Sequence, residues 1–165
     1  MARLMALDVG VARIGVAISD TTEFLASPYI TLHVSRDEVQ TWKAIQRLID
    51  ETEAEGLVIG LPVSLDGEIH SQGKWVQDFA ERLKEHITIP ITLWDERLST
   101  VEAERLLAER KETEQEKSYS RIGGGRQRNR TRRRRKQQEV DALAATVILQ
   151  EYLDHQLGKT RGTDI

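Results

Sequence analysis

Asp8, Glu96 and Asp141 are acids at positions where an apolar residue would be cheaper. Asp8 closes the apolar run LMALDVG, Glu96 follows IPITLWD, and Asp141 lies near the start of VDALAATVILQ. A carboxylate taken out of water is costly unless it is paired, protonated or bound to a metal. If the three converge in space, their oxygens form a cation site. Sequence spacing cannot bring them together; only the fold can.

Each acid also has an ordinary reading. Asp8, two residues before Gly10, suits an Asx-type turn. Glu96 beside Arg97 suits a surface ion pair of little energetic weight. Asp141 suits a helix N-terminus, where the backbone dipole favours negative charge. Successive strand residues point to opposite faces, so Asp95 and Glu96 cannot both serve one site while the strand stays regular. The four histidines, His33, His70, His86 and His155, are scattered over polar positions. The serines lack a nucleophile elbow or an SxxK arrangement. With no cysteine, disulfides, zinc-thiolate sites and thiol nucleophiles are excluded together.

The elements that must position these acids follow from periodicity. Residues 4–10 and RIGVAISD read as two strands joined by a hairpin-length connection, the second alternating Ile14, Val16 and Ile18 against smaller or polar residues. Pro28 to Val34 is a third strand. Ser35-Arg36-Asp37-Glu38 has a capping-box pattern, and Val39, Trp42, Ile45 and Ile49 continue it as a helix to about Ala54. LVIGLPV is a buried strand, Asp66-Gly67 a turn, and Ser71 to His86 a helix carrying Trp75, Val76, Phe79 and Leu83. Ile89 to Trp94 forms a fifth strand. A second capping box at Ser99 opens a third helix, and VDALAATVILQEYL, apolar almost all round, is a last, buried one. The order βββ-α-β-α-β-α-α predicts an α/β fold, a mixed five-stranded sheet with helices on both faces. One domain is expected over 1–157, with a frayed tail at 158–165.

The charge is unevenly distributed. RIGGGRQRNRTRRRRK carries nine of the 24 basic residues and no acid, leaving 15 basic and 27 acidic residues, a net of −12, in the rest of the chain. This segment predicts a flexible basic loop at about 118–138 that contacts phosphates; the plain alternative is a solvated insertion. No apolar run approaches the roughly 20 residues of a membrane span, and the N-terminus lacks a signal layout. A cytoplasmic protein with no membrane partner is expected.

LDVGVARIGVAISD, VIGLPVSLDGE, WDERLST and VDALAATVILQ, in this order over roughly residues 4–150, resemble the YqgF/RuvX family of nucleases within the ribonuclease-H-like superfamily. Gly10, Arg13 and Gly15 match its opening hairpin, and Gly60, Pro62 and Gly67 its central segment. The resemblance implies a cytoplasmic nuclease that processes the 5′ end of the small-subunit rRNA precursor, with branched DNA as a further substrate. It makes Asp8, Glu96 and Asp141 the catalytic, metal-holding acids. This chain departs from the pattern at Val11-Ala12, which replace a more polar pair. Compared with more distant junction resolvases, it has one acid rather than two on the last helix and none on LVIGLP.

Hard carboxylate oxygens suit Mg²⁺ or Mn²⁺, and two such ions about 3.5–4 Å apart can activate water and stabilise a leaving oxygen. Arg13 and Arg97, each beside a proposed ligand, are expected to clamp the substrate, or to pair with a structural acid. Arg126, Arg128, Arg130, Arg132, Arg133, Arg134, Arg135 and Lys136 are expected to grip the backbone of a precursor rRNA or branched DNA. The chain is expected to be a monomer or homodimer. The rival reading is a catalytically silent RNA-binding module of the same fold that serves ribosome assembly.

Overall fold

A computed structural model describes residues 2–63, 67–95 and 126–162. β1 (Arg3–Val9), β2 (Arg13–Ser19) and β3 (Ala26–His33) are followed by α1 (Glu38–Thr52), β4 (Ala54–Leu61), α2 (Ser71–Lys84), β5 (Ile91–Asp95) and a long α3 (Arg126–Gly162). The five strands form one sheet in the order β3-β2-β1-β4-β5. β1 pairs antiparallel with β2 and β2 with β3, while β1–β4 and β4–β5 are parallel. This is the expected mixed sheet: hairpins join the antiparallel strands and helices supply the crossovers.

Strand alternation sorts side chains between two cores. On one face Met5, Leu7, Ile14, Val16, Leu57 and Ile59 pack with α1 through Trp42, Ile45 and Ile49, and with α2 through Val76, Phe79 and Leu83. On the other face the strands contribute small residues, Ala6 and Ala17 with Val58, and α3 fills the space with Ala145, Ile148, Leu149 and Leu153. Burying each of the larger side chains contributes about 1.5–3 kcal/mol. The small strand residues let α3 lie close against the sheet. Gln150 fastens α3 further, its side chain accepting from the Ala26 amide at 2.9 Å and donating to the Phe24 carbonyl at 3.1 Å.

Several boundaries differ from expectation. The cap of α1 is Asp37, whose Oδ1 accepts from the Val39 amide at 3.1 Å, so Ser35 lies outside the helix. Ala54 opens β4 rather than ending α1, because Glu53 turns the chain in a left-handed conformation with φ of 56°. The larger correction concerns the basic segment. From Arg126 onward it is helix, continuous with the buried one, so the expected loop over 118–138 does not extend past residue 125 within the described chain. Arg, Gln and Lys are good helix formers; their charge keeps them out of a core but not out of a solvated helix, and the glycines of the segment all precede Arg126. At the other end, α3 carries on through residues 158–162, where a frayed tail was expected. The helix expected after Ser99 lies outside the described residues.

Candidate active site

Asp8 is the penultimate residue of β1 and lies in register with Gly15 of β2. It shares the strand face of Leu4 and Ala6, the face that α3 covers. Gly15 explains why α3 can come so close here. A Cβ built on it would overlap the Asp141 carbonyl and meet the Ala142 amide nitrogen at 3.0 Å. Any side chain at position 15 would force α3 away from the sheet. Glycine lets the helix backbone rest on the strand and brings Asp141 beside Asp8.

The electrostatics record this proximity. The Asp8 carboxyl is pushed up to about 6, mainly by burial and then by the negative charge of Asp141. Among the described residues no donor satisfies it. Asp141 has a counter-ion, Arg13, whose Nε donates to Oδ2 at 2.7 Å. The contact is partly exposed, with the side chains at 36% and 19% of full accessibility, so water can still reach the pair. Arg13 starts β2 and has the same strand parity as Gly15, which places it over the same face.

Of the three expected acids, two therefore meet. Glu96 and Arg97 lie outside the described residues. Asp95 is the last residue of β5, and parity separates it from Asp8. Its neighbour Trp94 packs with Tyr152 and His155 of α3, at ring-centroid distances of 5.5 and 5.1 Å. Ile91 and Leu61 belong to the opposite core, and Asp95 pairs with Leu61. Among the described residues no group of three potential metal ligands is assembled.

The two acids nevertheless fit a hard divalent cation. A half-buried carboxylate with no donor among the described residues, near a second carboxylate, is unfavourable when ionised and becomes favourable when a cation is bound. Arg13, expected as a phosphate clamp or an ion-pair partner, is seen as the partner of Asp141. The expected phosphate-gripping residues all lie on α3 from Arg126 to Lys136, upstream of Asp141 on the same helix. Arg132, Arg133, Arg135 and Lys136 are exposed. The side chains of Arg126, Arg128, Arg130 and Arg134 lie outside the described set.

Two further residues near the site are not singled out by the sequence. His33, one of the scattered polar-position histidines, pairs with Arg13 across β2–β3, and its Nε2 lies 3.1 Å from Nε2 of Gln138. Gln138 also receives, at its carbonyl, a hydrogen bond of 2.7 Å from Thr31 Oγ1. Spacing alone hints at the second of these: Gln138 sits three residues before Asp141, and so on the same side of the helix.

The chain is similar to known proteins. The family model RuvX, described as Holliday junction resolvase, matches residues 2–122. A protein of Thermoanaerobacter pseudethanolicus named "Putative pre-16S rRNA nuclease" is 39% identical over 157 residues, covering 95% of this chain and 99% of its own. Proteins of the same name from Roseiflexus sp. and Crocosphaera subtropica are 40% and 41% identical, covering 93% and 92% of this chain and 95% and 92% of their own. Among solved structures, T. thermophilus RuvC in complex with Holliday junction substrate superposes with a TM-score of 0.50 at 12% identity, over 96% of this chain and 97% of that one. That likeness gives the fold its class, ribonuclease-H-like. The family match, full-length relatives and the DxGxxRIG hairpin seated under the last-helix acid agree: the chain belongs to the RuvX family.

Proposed function

We propose that this protein is a divalent-metal-dependent nuclease that hydrolyses phosphodiester bonds, acting in the cytoplasm on the 5′ end of precursor 16S rRNA. The observation that carries this reading is the half-buried pair Asp8 and Asp141, two carboxylates brought near one another by the close approach of α3 at Gly15. The names of the relatives supply the substrate. The description of the family favours branched DNA as a second one.

Asp8 and Asp141 would hold Mg²⁺ or Mn²⁺. Glu96 is our choice for the third ligand, since the family resemblance assigns that acid and Asp95 has the strand parity of the opposite core. When bound, the metal supplies an activated water and neutralises charge on the leaving oxygen. The chain's own residues do the rest. Asp8 must be ionised to bind, and burial opposes that until the pH exceeds about 6. Arg13 fixes the orientation of the Asp141 carboxylate through Nε, and its terminal guanidinium nitrogens are suited to a substrate phosphate. The basic stretch of α3 holds the flanking backbone without reading sequence.

A panel of precursor 16S ends, single strands and four-way junctions, incubated with and without Mg²⁺ or Mn²⁺, tests the reading. Cleavage of at least one substrate that requires metal and disappears in Asp8→Asn is expected. Binding without metal-dependent cleavage of any substrate would replace the nuclease with a silent RNA-binding module.

A further inference from the structure

α3 must lie over β2 at the right height and also at the right rotation about its own axis, because successive helix side chains differ in direction by about 100°. Gly15 sets the height, with the Asp141 carbonyl resting directly on it, but a residue without a side chain cannot hold the helix at one rotation. Apolar packing does not choose the rotation sharply either. Ala142, Ala145, Val147, Ile148 and Leu149 are all buried, so burial extends over more than half of the helix circumference. Hydrophobic attraction has no direction of its own. A directional contact is needed to select one rotation from those that such a surface allows.

We propose that Thr31 is a positioning residue for the site of Asp8 and Asp141: its hydroxyl, bonded to the Gln138 carbonyl, sets the rotation of α3 that brings Asp141 near Asp8. The inference rests on the metal-dependent nuclease reading and names the group that aligns its site.

Thr31 Oγ1 donates to the Gln138 carbonyl at 2.7 Å. Thr31 is in register with Gly15, and Gly15 with Asp8. Along this line β3 grips the helix backbone at Gln138, β2 supports it three residues later at Asp141, and β1 carries Asp8. Two backbone contacts on neighbouring strands fix the helix in rotation as well as in height. The Thr31 side chain is short, and its branched β-carbon restricts χ1, so the hydroxyl stays where the strand puts it. Other polar contacts of α3 with the sheet lack this stiffness. Arg13 holds Asp141 through a long side chain that can follow the carboxylate, and Gln150 holds Ala26 and Phe24 through a flexible amide about three turns further on. His33, two residues after Thr31 and so on the same strand face, adds a second contact to Gln138, with its Nε2 lying 3.1 Å from the amide nitrogen.

Rotation has a large lever here. A carboxylate stands roughly 5 Å from the helix axis, so turning α3 by about 20° moves it by about 2 Å. A displacement of about 1 Å at a reacting centre is enough to cost about a hundredfold in rate. Thr31 therefore weighs more on the alignment of the two acids than one partly buried hydrogen bond weighs on stability.

Three variants of the full-length protein test this. Thr31→Val keeps the branched shape and removes the hydroxyl, Thr31→Ser keeps the hydroxyl, and Gln138→Ala keeps the carbonyl while removing the contact with His33. In metal-free, isotope-labelled protein the amide signals of Gly15, Asp141 and Ala142 should move in Thr31→Val and lie close to the parent positions in Thr31→Ser. Calorimetric titration with Mn²⁺ should show affinity about tenfold weaker in Thr31→Val and within about threefold of the parent in Thr31→Ser and Gln138→Ala. On a substrate that the parent cleaves, Thr31→Val should lower the saturated rate about a hundredfold, with KM nearly unchanged because the exposed cations of α3 remain. Thr31→Ala, which also lacks the hydroxyl, repeats the comparison should the valine variant fail to fold. Parent-like amide signals and Mn²⁺ affinity without the hydroxyl would overturn the proposal. So would equal losses in Thr31→Ser and Thr31→Val while thermal melting shows both folded, since the packing of β3 rather than the hydroxyl would then be responsible. A parent that cleaves nothing refutes the nuclease alone, because the amide signals and the Mn²⁺ titration still judge Thr31.

Discussion

Gly15 carries the backbone of Asp141 directly on its α-carbon. A β-carbon there would overlap the Asp141 carbonyl, and Gly15 is also the residue facing Asp8 across the β1–β2 ladder. One hydrogen atom in place of a methyl group thus sets the distance between the two acids. Gly15→Ala should push α3 outward, separating Asp141 from Asp8 and loosening the core of Ala145, Ile148 and Leu149. The expected cost is about 1–3 kcal/mol, typical of overpacking, with loss of metal-dependent cleavage even at temperatures where the protein remains folded. Thermal unfolding and activity measured on the same preparation check this. An active Gly15→Ala enzyme would show that the close approach is not what assembles the site.

Asp8, the proposed metal ligand, makes the metal-free site costly to fold once its carboxyl is ionised. Its carboxyl titrates at an ordinary 3.8 when unfolded and at about 6 in the folded chain. Between these values the folded state binds the extra proton, so metal-free stability falls as pH rises from about 4 to 6 and stays lowered above. In EDTA at pH 7.5, Asp8→Asn should therefore be more stable than the parent, by on the order of 2–3 kcal/mol. The advantage should shrink towards zero near pH 4. Denaturant unfolding at both pH values decides it; equal stability at pH 7.5 would mean that Asp8 is not held as described.

Proton and cation compete for the same carboxylate. Below pH 6, affinity for Mn²⁺ should fall by up to tenfold per pH unit, and above it should level off. Titration calorimetry across this range measures the affinity without substrate. Arg13→Gln removes the counter-ion of Asp141, leaves more negative charge beside Asp8, and should shift the onset of binding to higher pH. Because the Arg13–Asp141 contact is partly exposed, its removal should cost less than about 1 kcal/mol of metal-free stability. A large destabilisation would make Arg13 chiefly a structural residue.

The sheet is legible in local sequence. RIGVAIS alternates large apolar residues with small ones because α1 and α2 cover one face and the close-lying α3 the other, and the apolar run LVIGL is likewise buried on both faces. The basic segment departs from its loop expectation because charge reports exclusion from a core rather than backbone conformation; RQRNRTRRRRKQQ has nothing that breaks a helix after the glycines end at Gly125. For the site, Asp8 and Asp141 stand out as acids among apolar neighbours. Their relation to Gly15 does not, because it is a contact across 126 residues of chain made by an atom that is missing. That Asp95 faces away from Asp8 is readable only once Trp94 is seen packed on α3. His33 and Gln138 are ordinary polar residues until the packing of β3 on α3 brings them together.

That the basic stretch is helical from Arg126 changes what its charges can do. A flexible loop would wrap whatever it met, whereas α3 is 37 residues long, about 55 Å, and delivers its exposed cations at fixed positions upstream of Asp141. Replacing Arg132, Arg133, Arg135 and Lys136 together by Gln should preserve the helix, since Gln matches Arg and Lys in helix propensity; far-UV circular dichroism would confirm that. For every phosphate that these side chains neutralise in the parent, the slope of log affinity against log salt should become shallower by about 0.7 for a single strand or 0.9 for a duplex. The proposed catalytic acids are untouched, so at saturating substrate cleavage should continue at close to the parent rate, with the defect confined to KM. An unchanged salt slope would leave these four cations without a part in substrate binding, and a fall in the saturated rate would mean that they act on the reacting phosphate itself.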